Sequence, residues 1–162
     1  MVSGSQPLKG FVAKDDLPPR IVGYLNAAAS SRDWRDAESL LLRAQAADPD
    51  CLQVYYTLYK FYFNHKRLSD AERQTCLALD AAARLAKIDA DWRLQKKDSC
   101  DWSKVSSPQH FYLFSMKALA FIRLRQLREA DAASILAKLR EIDPDDSVGA
   151  SVIEAYAAGA QQ

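Results

Sequence analysis

Nucleophilic catalysis needs a Ser, Cys or Thr held within hydrogen-bond reach of a base, and His65 and His110 are the only histidines this chain offers for that role. Neither has a diagnostic neighbour. His65 falls in a turn between two helical stretches, where a solvated side chain is the ordinary outcome, and His110 falls in the first turn of another helix. A zinc or iron–sulfur centre needs thiolates or imidazoles at close spacing, whereas Cys51, Cys76 and Cys100 lie far apart in the chain. The five glycines form neither G-x-x-x-x-G-K nor G-x-G-x-x-G, so no phosphate cradle is expected. These residues predict a non-enzymatic protein with no metal and no cofactor; an enzymatic alternative would need an unexpected site near Cys100 and His110.

The charge balance narrows the partners. Lys and Arg number 22 against 21 Asp and Glu, and a net charge of +1 supplies no strong field toward nucleic acid or an anionic membrane. The longest apolar runs are broken by Lys60 and Lys117, and the start, Met-Val-Ser-Gly-Ser-Gln-Pro-Leu-Lys-Gly, lacks the apolar core of an export signal. Three widely spaced cysteines suit reduced thiols better than a disulfide framework, so the expected compartment is the cytoplasm. Another protein or a peptide is the partner class left standing, with the oligomeric state undetermined.

The elements that would position a binding surface are helical. Leu-Gln-Val-Tyr-Tyr-Thr-Leu-Tyr-Lys-Phe-Tyr-Phe, residues 52–63, is apolar or aromatic on nearly every face at helical period and must be covered on several sides. His-Phe-Tyr-Leu-Phe-Ser-Met-Lys-Ala-Leu-Ala-Phe-Ile, residues 110–122, has the same character and should also be sandwiched. Around these two, the spacing predicts helices over about 19–30, a second opened by Ser30 with Asp33 and reaching about 47, then 69–87, 127–142 and 145–158. Ser30 with Asp33, Ser69 with Glu72 and Ser106 with Gln109 resemble capping boxes, and Asp48-Pro49-Asp50 and Asp143-Pro144-Asp145 act as stops. Residues 1–15, aperiodic and rich in Gly, Ser and Lys, read as a flexible tail ahead of one domain over 16–162.

Asp36-Ala37-Glu38 recurs as Asp70-Ala71-Glu72, and both Ala37 to Ala71 and Ala44 to Ala78 span 34 residues (71 − 37 and 78 − 44). This is the period of a helix pair in the tetratricopeptide repeat family, which the chain resembles through Tyr55, Leu58, Tyr62, Ala71 and Ala78 in one copy and Ala37, Leu41, Ala44 and Pro49 in another. A third copy reads as Phe114, Ala118, Phe121, Ala130 and Ala137, with Pro144 two residues late. The resemblance implies an all-α, right-handed superhelical solenoid of three repeats, over about 18–49, 50–87 and 107–143, with an insertion at 88–106 and a capping helix over 145–158 that covers the last repeat through Val148, Val152, Ile153 and Tyr156.

In that family the first helix of each pair lines a concave groove. The resemblance then assigns Val22 and Asn26, next Tyr56, Lys60, Phe63 and Asn64, and last Ser115, Leu119, Ile122 and Arg123 to the surface that would hold a peptide or helix. Lys60, Asn64 and Arg123 would take polar or carboxylate groups. Alternatively, Tyr56 and Phe63 are covered by the chain's own insertion, whose Trp92 and Trp102 would plug the groove, form a second contact patch, or simply pack in the core. Asp91-Trp92-Arg93, the 111–125 helix and Asp143-Pro-Asp-Asp-Ser-Val-Gly also resemble small tetratricopeptide-type proteins encoded among bacterial nitrogen-fixation genes, which implies an accessory role in enzyme maturation or regulation. The expectation is a non-catalytic adaptor, with a chaperone-like protein that keeps a client's apolar segment soluble as the alternative.

Overall fold

The computed structural model describes residues 16–160, which form seven α-helices and, among the described residues, no strand. The tail expected over 1–15 lies outside them. In order, α1 is Pro19–Ser30, α2 Trp34–Ala47, α3 Leu52–Asn64, α4 Leu68–Ala86, α5 Pro108–Arg125, α6 Glu129–Ile142 and α7 Ala150–Ala160. Consecutive helices pack as neighbours, α1 on α2, α3 on α4 and α5 on α6, and the α2–α3 and α4–α5 contacts join the pairs. α7 rests on both α5 and α6. Among the described residues, no helix is long and apolar enough to cross a membrane.

α3 and α5 are covered on several sides, as their all-round apolar sequences require. α3 sends Val54, Leu58 and Tyr62 into one core cluster with Ile21, Leu41 and Ala44, while Tyr55, Tyr56 and Tyr59 enter a second cluster with α4, α5 and α6. Alanines at Ala37, Ala44, Ala71 and Ala78 are all buried, which lets the helices they face approach closely.

The helix starts differ from the capping boxes, each for a local reason. α1 runs through Ser30, so that hydroxyl donates back to Asn26 O (2.9 Å) and Asp33 caps α2 alone, accepting from Arg35 N (2.9 Å). Ser69 lies inside α4, whose N-cap is Arg67. Pro108 forces the residue before it into extended backbone, so Ser107 and not Ser106 caps α5, accepting from His110 N (3.2 Å). Asp146 and Gly149 both adopt left-handed φ (55° and 73°), which delays α7 to Ala150 and places Gly149 before the helix. With that later start Val152 points to solvent, while Val148 is buried and Ile153 half-buried.

The third copy is shifted by two residues from its expected register. Ala130 and Ala137 are exposed, and Ala132 and Leu139 are the fully buried counterparts of Ala71 and Ala78. Hydrogen bonds repeat in the same register: Arg67 Nε donates to Asp70 and Nη1 to Glu38 (2.9 and 2.6 Å), and Arg128 Nε donates to Asp131 and Nη1 to Glu72 (2.9 and 3.0 Å). Lys66 and Leu127, each just before one of these arginines, share a left-handed φ. The shift also accounts for the proline, since Pro49 − Ala37 and Pro144 − Ala132 are both 12.

Candidate functional site

One face of α3 and α5 forms an open groove of about 290 Å³, lined by Tyr56, Lys60, Phe63 and Asn64 from α3 and by Phe114, Lys117, Ala118 and Phe121 from α5. Its floor is aromatic: Tyr56 meets Phe114 at 5.8 Å between ring centroids and Phe63 meets Phe121 at 5.3 Å. Tyr156 of α7 meets Phe121 edge-on at 5.2 Å. A second cavity of about 480 Å³ between α1, α2 and α3 shares Tyr56, Lys60 and Asn64 with the first, and its wall includes Trp34, Phe61, His65 and Arg32. The shared residues make the two hollows one continuous surface centred on Lys60.

The groove is cationic and partly dry. Lys60 Nζ lies 5.6 Å from the Tyr56 ring centroid, and partial burial lowers the proton affinity of this half-buried amine. Lys117 Nζ sits 4.6 Å from the Phe114 centroid and donates to Val148 O (2.6 Å); burial lowers its pKa too, opposed by Asp146. Among the described residues, no Asp or Glu lines either cavity.

Of the residues assigned from sequence, Tyr56, Lys60, Phe63, Asn64 and Ile122 come together here. Asn26 is exposed on α1 and lines neither hollow. Leu119 and Arg123 are not groove residues: Leu119 is buried in the core, and Arg123 faces α4, 3.8 Å from Glu72. The cause is the two-residue register error. Moved by two, Leu119 becomes Phe121 and Ser115 becomes Lys117, both of which line the groove. The repeated Arg-x-x-Asp-Ala segment, at Arg67 and again at Arg128, was the signal that could have fixed the register.

The insertion neither plugs the groove nor presents its tryptophans. Trp92 and Trp102 are buried with α4, α5 and α6, and no residue of 88–107 lines the α3–α5 hollow. A polar hub holds the segment there. Buried Gln95 donates from Nε2 to Asp89 O (2.5 Å), its own carbonyl accepts from Lys138 Nζ (2.9 Å), Tyr112 OH donates to Ala90 O (3.1 Å), and Trp102 Nε1 donates to Lys96 O (2.9 Å). Gln95, Trp102 and Tyr112 thus each donate to a backbone carbonyl, as burial demands.

The residues with chemical potential stay apart. His65 donates from Nδ1 to Phe61 O (2.7 Å) and stacks near Phe61 and Trp34. His110 shares no hydrogen bond or ion pair with Cys100, and burial lowers its pKa while pushing Cys100 up to about 11, the wrong direction for a reactive thiolate. Among the described residues no three His, Cys, Asp or Glu side chains are grouped to hold a metal. The chain is 28% identical over 146 residues to an "Uncharacterized 19.8 kDa protein in nifW 5'region" of Azotobacter chroococcum mcd 1, an alignment covering 86% of this chain and 78% of that protein. No family model matches the chain. No solved structure matches it.

Proposed function

We propose that the chain is a tetratricopeptide-like solenoid of three helix pairs capped by α7, and that it acts in the cytoplasm as a non-catalytic binding module that holds a peptide or helix of a partner protein across α3 and α5. The observation that carries this reading is the groove itself: an open hollow with an aromatic floor and a lysine, Lys60, that has no carboxylate partner among the described residues. The repeated Arg–Asp and Arg–Glu bridges at Arg67 and Arg128 support the stacked-repeat architecture. The relative's location in the nifW 5′ region supports an accessory role near nitrogen fixation.

Pull-down from native cell extract with wild type and Lys60→Glu, with helicity checked by circular dichroism, tests the reading. A protein retained by wild type and lost by the variant is the expected result, and equal retention by both would move the site off the groove. The apolar share of the floor, with Phe63, Phe114 and Phe121, favours a chaperone-like alternative. A chaperone should keep one co-expressed client soluble in stoichiometric complex, whereas an adaptor should join two folded partners.

A further inference from the structure

We infer that the hollow formed by residues 90–93 of the insertion with α4 and α5 is a binding site for a small zwitterion, a free amino acid with an apolar side chain, its carboxylate on Arg123 and its ammonium on Asp80. The hollow holds about 240 Å³, and Leu79, Trp92 and Leu119 form its apolar wall. Arg123 distinguishes it from an ordinary surface crevice. Every other described arginine is exposed except Arg67, which donates to Glu38 and Asp70. The Arg123 side chain is only 12% exposed, its Nε is buried with no acceptor, and its ion pair with Glu72 is a loose contact of 3.8 Å. Glu72 is already held by Arg128, whose Nη1 donates to both carboxylate oxygens at 3.0 Å. A guanidinium carries five N–H donors and is costly to bury without acceptors, so this one calls for an anion.

The opposite charge lines the same hollow. Asp80, exposed on α4, makes no hydrogen bond or ion pair among the described residues, whereas Asp91 is taken by Arg93 (3.3 Å). Arg123 and Asp80 do not pair with each other, yet both act on Cys76, one helical turn before Asp80: burial raises that thiol's pKa, Arg123 lowers it, and Glu72 and Asp80 raise it. A simple anion here would meet Asp80 and Asp91, and a simple cation would meet Arg93 and Arg123. A molecule that carries both charges suits the whole wall, with Leu79, Trp92 and Leu119 left to cover its side chain. The volume lies below the ~300–1,000 Å³ of sites for drug-sized ligands, which limits the occupant to a small molecule. The insertion supplies Trp92, Asp91 and Arg93, so the site is a feature of this chain's own departure from a regular repeat.

The test is a thermal-shift screen of the full chain against alanine, valine, leucine, isoleucine, methionine and phenylalanine at about 10 mM, followed by calorimetry. At least one of them should raise Tm and bind. Its matched acid without the amino group, and its matched amine without the carboxylate, should each bind at least about tenfold more weakly, as expected for a lost hydrogen bond between charged groups. Asp80→Asn, a change at an exposed residue, and Arg123→Met, which keeps much of the buried stem, should each weaken the amino acid to a similar degree. Bound ligand should also slow alkylation of Cys76, which lines the hollow. The inference is overturned if the matched acid or amine binds as tightly as the amino acid, if binding is indifferent to both variants, or if nothing binds at about 10 mM. None of these outcomes bears on the α3–α5 groove, which neither Arg123 nor Asp80 lines.

Discussion

Replacing Trp102 by alanine should remove a large part of the stability of the whole domain, although the residue sits in an irregular loop. Trp102 is 7% exposed, packs near Tyr112 with ring centroids 6.1 Å apart, and donates its indole N–H to Lys96 O. A tryptophan buries about 150–250 Å², worth at most ~4–6 kcal/mol at ~25 cal/mol per Å². Large-to-small core changes of this kind cost roughly 3–5 kcal/mol. With Lys96 O also losing its donor, a loss of about 4 kcal/mol is the expected figure, against a total of ~5–15 kcal/mol for a domain. At a urea slope of ~2 kcal/mol per M this lowers the unfolding midpoint by about 2 M. Far-UV circular dichroism is the right readout, because it follows the helices and not the deleted fluorophore. Trp34→Ala, at a residue 40% exposed, should cost clearly less. A Trp102→Ala loss below ~1 kcal/mol would refute the reasoning and make residues 88–107 a peripheral flap.

Other consequences are as direct. Gly149→Ala should destabilise by about 1–2 kcal/mol and Gly23→Ala should stabilise by about 0.5–1 kcal/mol, because neither added Cβ meets an atom within 4 Å but only Gly149 has a left-handed φ; thermal melts of the pair read the opposite signs. Burial holds His110 below its usual value of 6.5, so the unfolded chain takes the proton first as pH falls. Stability should therefore be flat above about pH 7 and fall as the pH drops below about 6.5, with a shallower fall in His110→Asn, measured by urea midpoints at a series of pH values. Cys100, raised from 9.0 to about 11, should have a thiolate population about a hundredfold lower (two pH units) than the unfolded thiol. Alkylation by iodoacetamide should accordingly be slow in the native protein and fast in urea.

Chain punctuation made the first half of the fold legible. Pro18-Pro19 and Asp48-Pro49-Asp50 bracket α1 and α2, and proline and aspartate act through backbone geometry alone, so the start of α1 and the end of α2 follow from the sequence. The apolar all-round character of α3 and α5 likewise dictated their burial. The third pair was misread because Ala130 and Ala132 both stand at the start of α6, and alanine spacing alone cannot choose between them. The choice is made by Arg128 reaching Glu72 of the preceding pair, a contact between segments 56 residues apart. That two-residue slip turned Leu119 and Arg123 outward on paper, and it hid Lys117 and Phe121. The fate of Trp92 and Trp102 was not legible for a similar reason, since the carbonyls and helices that receive them come from several parts of the chain.

The central claim is that a partner lies on the α3–α5 face. It is tested most directly by installing a photo-crosslinking amino acid in place of Asn64, exposed at the end of α3 and lining both hollows, and separately in place of Leu77, exposed on α4 and lining neither hollow. Irradiation in the native cell should give one discrete adduct from position 64 and none of that mass from position 77. The same adduct from both positions, or an adduct from 77 alone, would contradict the account.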